Sequence, residues 1–274
     1  MAMSDQDMPL QQNSFQSKLR MDGRRVVVIG AGPGVGNSTV AALVELGARV
    51  VCVDRDKDAA EATAGLYEVT GLSCDVTDEK SFRSMVAEAE SILGGVNGIV
   101  DVVGYSKMGR LSDFSLADWH KTFSGVVDHA FLTMTIGAEA LSRSGGGSMC
   151  FVGSNSGLVT VKGQAAYGAA KAALHHLVAG MGAELGPRGI RVNAVAPGFI
   201  KNPSLERVLD EGHWTAVVER IPLGRTAVSQ DVAGTILYLM SDLAAHVSAQ
   251  VVTVDGASSR VLQLPTLPWN AGLS

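Results

Sequence analysis

Seven apolar, β-branched runs alternating with helical stretches constrain this chain of 274 residues more than any other feature. The runs are RRVVVIG (24–30), ARVVCVD (48–54), GLSCDV (71–76), NGIVDVV (97–103), GSMCFVG (147–153), IRVNAVA (190–196) and AQVVTVD (249–255). Helical patterns lie between them, among others at 37–46, 78–92, 115–142, 163–186 and 229–242. A strand that is apolar on successive residues has no face to give to water. Separated by helices, such strands make a parallel sheet covered on both sides. The pattern predicts one doubly wound α/β domain over residues 22–257, with a seven-stranded parallel sheet flanked by helices. A hydrophobic fraction of 46% can fill its core, and 18% charged residues do not suit a disordered chain.

Residues 1–21 lack the basic start and apolar run of a signal peptide and are expected to form a flexible tail. Residues 198–227 are a long excursion between the sixth strand and the next helix, the length of a substrate loop or lid. Residues 258–274 form an apolar C-terminal extension with two prolines, suited to covering a groove or packing on another subunit. No run of eighteen apolar residues offers a membrane span. A net charge of −5 and a pI near 5.7 argue against nucleic acid or an anionic membrane as partner. Cys52, Cys74 and Cys150 lie in or beside apolar runs, as reduced thiols of a cytoplasmic protein would. They lack metal-site spacing, and no metal is expected.

The first run leads into GAGPGVGNSTV (30–40). Read as G-x-G-x-x-G from Gly30, the sixth position is Val35, so the common dinucleotide fingerprint fails. What fits is G-x-x-x-G-x-G, with Gly30, Gly34 and Gly36. Such glycines permit a tight turn, a close approach of backbone to pyrophosphate, and close packing of the next helix, the opening of a Rossmann-type fold. The amides and dipole at the start of that helix, near Val35, suit phosphate. The second run ends in Asp54, where a carboxylate can accept both ribose hydroxyls of NAD and repel the extra phosphate of NADP. Arg55 would attract that phosphate, but its side chain is expected on the other side of the strand end, which favours NAD. Asp75 suits an adenine contact or the N-cap region of the next helix.

The stretch AAYGAAKAAL (165–174) puts Tyr167 and Lys171 on one helix face, one turn apart. A free tyrosine titrates near pH 10, so a base at neutral pH needs about three units, or roughly 4 kcal/mol, of preference for the phenolate. An ammonium close by, helped by a positively charged nicotinamide, supplies much of that. Tyr167 then serves as general base or acid. Ser154, thirteen residues earlier and just past the fifth run, can hydrogen-bond a substrate oxygen.

In order and spacing, GAGPGVG, Asp54, CDV, Ser154 followed by YGAAK, and NAVAPG resemble the short-chain dehydrogenase/reductase family over roughly residues 22–257. The resemblance implies Ser154, Tyr167 and Lys171 as catalytic residues, with Lys171 also holding the nicotinamide ribose and Tyr167 also among the cofactor-binding residues. It implies Val76, Val103 and Gly104 along the cofactor, and Pro197, Gly198 and Ile200 beside the nicotinamide, where the Ile200 backbone bonds the carboxamide. The activity expected is NAD(H)-dependent interconversion of a secondary alcohol and a ketone on an apolar small molecule, by a homotetramer or dimer. Met108, Ser156, Leu158, Phe199 and Trp214 are candidate pocket residues. The alternative is an NAD-binding protein without turnover, a redox sensor or a non-catalytic subunit.

Three departures from the family pattern stand out. Ile29 replaces a threonine before the first glycine, and DVVG (101–104) replaces Asn-Asn-Ala-Gly. Counted from Trp119 and Phe131, Val126 holds the position of the catalytic asparagine. His129, one turn on, is either a structural histidine or a participant in proton transfer.

Overall fold

The computed structural model describes residues 14–201, 203–207 and 209–261. Seven strands form one parallel sheet: β1 (Arg25–Ile29), β2 (Arg49–Asp54), β3 (Thr70–Ser73), β4 (Gly98–Asp101), β5 (Gly147–Val152), β6 (Ile190–Pro197) and β7 (Val251–Val254). Their order across the sheet is β3-β2-β1-β4-β5-β6-β7. The chain winds outward from β1 to β3, then returns to lay β4 against the other side of β1. This reversal opens a crevice at the carboxyl ends of β1 and β4, where ligands of such sheets bind.

Neighbouring residues of one strand feed two separate cores. Val27 and Ile29 join one with Phe82, Met85 and Leu174, while Val26 and Val28 join the other with Leu43, Ile236 and Leu239. Burial on both faces is the reason the strands read as continuous apolar runs. One face is covered by the helices Glu79–Leu93 and Ala165–Leu185 and by a long helix between β4 and β5. The other is covered by Val35–Glu45 and Ser229–Met240. The long helix is not uniform. It starts as Leu116–Phe123 on a capping box made by Ser115 and Asp118. It then widens into π-turns at Ser124–Asp128 and Thr133–Gly137 on its way to Ala138–Arg143.

Two segments differ from the sequence expectation. Lys57–Leu66 is a helix that the apolar pattern does not announce, because only Ala60, Thr63 and Ala64 are buried in it. Its start is set by Asp56, whose carboxylate accepts the Asp58 and Ala59 amides. Secondly, Phe15–Leu19 is a short helix and Met21 is wholly buried, its amide donating to the Leu46 carbonyl. The packed chain therefore begins before residue 22. Residues 1–13 of the expected tail and 262–274 of the expected extension lie outside the described residues.

The excursion 198–227 carries the helical segments Pro203–Glu206 and Glu211–Val218. Its two ends are fastened together by a bridge between Ile200 and Ala227. Among the described residues, no helix is long and apolar enough to cross a membrane. Phe82 is fully buried at the centre of one core. Phe82→Ala should cost about 3–5 kcal/mol of unfolding free energy, read by chemical denaturation.

Candidate active site

The glycine turn after β1 is built around one backbone contact. A Cβ on Gly36 would stand 2.0 Å from the Gly30 carbonyl oxygen, so the Val35–Glu45 helix rests directly on the strand exit. Gly30 and Gly34 hold φ of +80° and +113°, a region in which side chains are strained. Gly34 caps the helix with no side-chain hydrogen bond, and the first turn holds no acidic residue. The helix start is thus left open to an anion. At the end of β2, Asp54 accepts the Gly32 amide at 3.1 Å and the Asp56 amide at 3.0 Å, which fixes its carboxylate beside the turn.

A cleft of about 520 Å³ opens here. Gly30, Asp54, Arg55, Asp75, Val76, Val103 and Gly104 are among its lining residues, with Tyr105, Lys121 and Ser124. Arg55 does not turn to the far side of the strand end as expected. It lines the cleft with Asp54, and its charge acts on Asp75. Asp75 accepts the Thr77 hydroxyl at 2.7 Å and the Thr77 amide at 3.0 Å, and these bonds hold its carboxyl below the usual range. The actual N-cap of the next helix is Asp78. Asp75 therefore shapes the turn ahead of the cap while facing the cleft.

Lys171 lies behind Gly104, a residue of the cleft wall, and is almost completely buried. Its ammonium donates to the Val152 carbonyl at 2.7 Å and abuts Gly104, where a Cβ would stand 2.9 Å from Nζ. Burial lowers its pKa to about 8, against the pull of the Asp101 charge. The Tyr167 ring centroid is 5.7 Å from Nζ. Burial pushes the Tyr167 pKa up, and a hydrogen bond with Ser154 pulls the other way. The sequence argument expects a depressed tyrosine. The protein alone leaves it raised, because desolvation of the phenolate outweighs the hydrogen bond.

Ser154 caps a turn by accepting the Ser156 amide, and its own amide donates to His175 Nε2 at 3.4 Å. His175 is buried below this loop, and its pKa is pushed down to about 4 by burial and then by the Lys171 charge. The sequence marks His175 only as half of an adjacent pair with His176. Pro197, Gly198 and Ile200 approach from the other side: a Cβ on Gly198 would touch Asp255 at 2.8 Å and the Asn155 side chain at 3.4 Å. Of the candidate pocket residues, Met108, Leu158 and Phe199 expose large apolar surfaces, while Trp214 is buried with Lys201 above its ring. Ser156 donates its hydroxyl to Gln164.

The position counted for the family asparagine is apolar. Val126 is completely buried within the first π-turn and belongs to the core. The polar groups lie one turn further on. His129 Nε2 bonds Asp101 Oδ1 at 3.2 Å, Thr133 donates to Asp101 Oδ2 at 2.9 Å, and the Val103 amide donates to Oδ1 at 3.1 Å. Asp101 is the residue that opens DVVG. A carboxylate inside an apolar strand must find partners when buried, and a His and a Thr four apart on a helix could have pointed to them. Cys52 and Cys150 are inert by comparison, their thiols pushed up to about 12 by burial. No group of three or more metal-ligating side chains occurs among the described residues.

The family model described as enoyl-(acyl carrier protein) reductase matches residues 30–258. The 2,3-dihydro-2,3-dihydroxybenzoate dehydrogenase of Escherichia coli is 34% identical over 86% of this chain and 97% of its own. The 2-(S)-hydroxypropyl-CoM dehydrogenase 3 of Xanthobacter autotrophicus is 29% identical over 88% of this chain and 99% of its own. A solved 7α-hydroxysteroid dehydrogenase, in complex with NADH and 7-oxo glycochenodeoxycholic acid, superposes with a TM-score of 0.86 at 29% identity, over 91% of this chain and 100% of that one. The chain belongs to the short-chain dehydrogenase/reductase family, oxidoreductases that work with a nicotinamide cofactor. A cradle that a Cβ would fill and an uncapped helix start fit such a dinucleotide.

Gly36→Ala should therefore weaken nucleotide binding at least tenfold and cost about 1–3 kcal/mol of stability, since Cβ and the Gly30 carbonyl cannot share the space. Calorimetric titration and thermal denaturation check the two effects. His175 makes a second expectation. Its folded pKa is depressed, so the unfolded chain binds a proton that the folded one refuses. Stability should fall as pH drops from about 6.5 to about 4, and His175→Leu should flatten that limb in denaturation series at several pH values.

Proposed function

We propose that the protein is an NAD(H)-dependent dehydrogenase/reductase that interconverts a secondary alcohol and a ketone on an apolar small molecule. The observation that carries this is the grouping of Ser154, Tyr167 and Lys171, with the Lys171 ammonium against Gly104 in the wall of the glycine-rich cleft. When bound, the nicotinamide supplies the hydride acceptor or donor and, when oxidised, a positive charge. Ser154 presents a hydroxyl to the substrate oxygen, already within hydrogen-bonding reach of Tyr167. Tyr167 takes the alcohol proton in oxidation and returns it in reduction. Lys171 contributes an ammonium whose stem and head are fixed by burial, so its charge needs no reorganisation.

NAD rather than NADP is supported by Asp54, whose carboxylate is pinned by two amides at the β2 end. A phosphate brought there meets a fixed negative charge. Arg55 lines the same cleft, and its charge also reaches Asp75. An apolar substrate is supported by the exposed Met108, Leu158 and Phe199. A homo-oligomer, tetramer or dimer, is supported by Leu116 and Phe131, large apolar side chains exposed on the long helix. Sedimentation analysis tests that reading.

The decisive experiment follows nicotinamide absorbance with NAD and NADP against a panel of apolar secondary alcohols and ketones. Turnover with NAD should fall by about 10²–10⁴-fold in Tyr167→Phe while nucleotide affinity changes little. Oxidation should accelerate with rising pH, because the phenolate is the working form, and reduction should slow. Retention of most activity in the Phe variant would sink this mechanism. Tight NAD binding without turnover would replace it with the binding-protein alternative.

A further inference from the structure

Asp101 and His129 are both about 1–2% exposed, and they meet 28 residues apart in sequence between β4 and the long helix. Every oxygen of the carboxylate is taken: Oδ1 by His129 and the Val103 amide, Oδ2 by the Thr133 hydroxyl. His129 Nδ1, by contrast, is buried with no hydrogen-bond partner. An orphaned ring nitrogen and a charge carried into an apolar face both cost stability. Neither is needed to close the core, since Val126 and Ala130 beside His129 close it with carbon alone.

The pair sits directly behind the catalytic lysine. Asp101 lies opposite Phe151 in the β4–β5 register, one residue before Val152, whose carbonyl receives the Lys171 ammonium. The Val103 amide that Asp101 holds precedes Gly104, the residue against which Nζ rests. Resting on the catalytic reading above, we propose that Asp101, braced by His129 and Thr133, is a positioning residue for Lys171. It fixes the Val103–Gly104 wall and supplies a buried negative charge that keeps the ammonium protonated where Val126 leaves no polar side chain. The titratable groups around Lys171 are Asp101 on β4, His129 on the long helix, and Tyr167 and His175 on its own helix, while Asp128 beside His129 is exposed. Burial opposes the lysine charge and the Asp101 carboxylate supports it. Burial likewise opposes the carboxylate, and the charge and hydrogen bond of His129, with Thr133 and Val103, more than offset it.

Asp101→Asn tests this, because it keeps the shape and the hydrogen bonds of the oxygen while removing the charge. The Lys171 titration is read from the lysine ¹³Cε resonance, assigned by its loss in Lys171→Met. In Asp101→Asn the midpoint should move down by about one pH unit, a tenfold change in the protonation constant. The alkaline limb of kcat for alcohol oxidation should move acidward with it, and the Kd for NAD should stay within about twofold. His129→Gln, which can still donate to the carboxylate, should leave a midpoint closer to that of the wild type than Asp101→Asn does. Should Asp101→Asn fail to fold, Asp101→Ser removes the same charge with a smaller side chain and gives the same reading. A Lys171 midpoint unchanged on loss of the charge would overturn the proposal, even with stability reduced. The resonance needs no substrate, so a wild-type protein silent across the alcohol panel would count against the enzyme reading and not against this one.

Discussion

The hydrogen bond from the Lys171 ammonium to the Val152 carbonyl is the contact on which the arrangement of the site depends. An ammonium in the interior is costly unless its protons are used. Here one is spent on the end of β5, which ties the Ala165–Leu185 helix to the sheet at a fixed height. That height sets the others. Tyr167 stands one turn earlier on the helix, Ser154 two residues past Val152, and Gly104 has no side chain because Nζ occupies the space. His175, one turn later, braces the Ser154 loop from beneath.

The same economy explains the division between the two ends of the cleft. At the glycine turn, the backbone itself is the binding surface, and the helix start offers partial positive charge with no titrating group. At the lysine end, full charges are buried and their balance depends on neighbours. Tyr167 is raised by burial, and Lys171 is lowered by burial. Both shifts run against charge in the interior, so the Lys171 charge depends on the groups around it and a charged ligand would tip the balance.

Much of this was legible in the sequence. Strand runs of unbroken apolar character announce a sheet covered on both faces, and the spacing of Gly30, Gly34 and Gly36 announces the turn. Tyr167 and Lys171 share a helix face by simple periodicity. Other parts depend on contacts that periodicity does not carry. Arg55 lines the cleft although strand alternation alone puts its side chain on the far side of the strand end. Lys57–Leu66 is helical through capping and alanine, with little apolar patterning. Met21 is buried although the polar segment before it reads as a tail. The Asp101–His129–Thr133 cluster joins a strand to a helix about thirty residues away, and only the anomaly of a carboxylate within an apolar run hinted at it.

The π-turns of the long helix carry a consequence for how this protein can change. Each π-turn holds one residue more than an α-turn would, so it behaves as an insertion absorbed without a loop. Removing one residue from Ser124–Asp128 would restore a regular helix and leave everything beyond it facing as before, whereas removing a further residue would rotate it by about 100°. His129 and Thr133 would leave Asp101, and a carboxylate would be stranded in the core. A π-turn can take up or release one residue without moving His129 and Thr133 off Asp101, so the length of this helix can change by single residues there, and only a change that the π-turns cannot absorb strands the carboxylate.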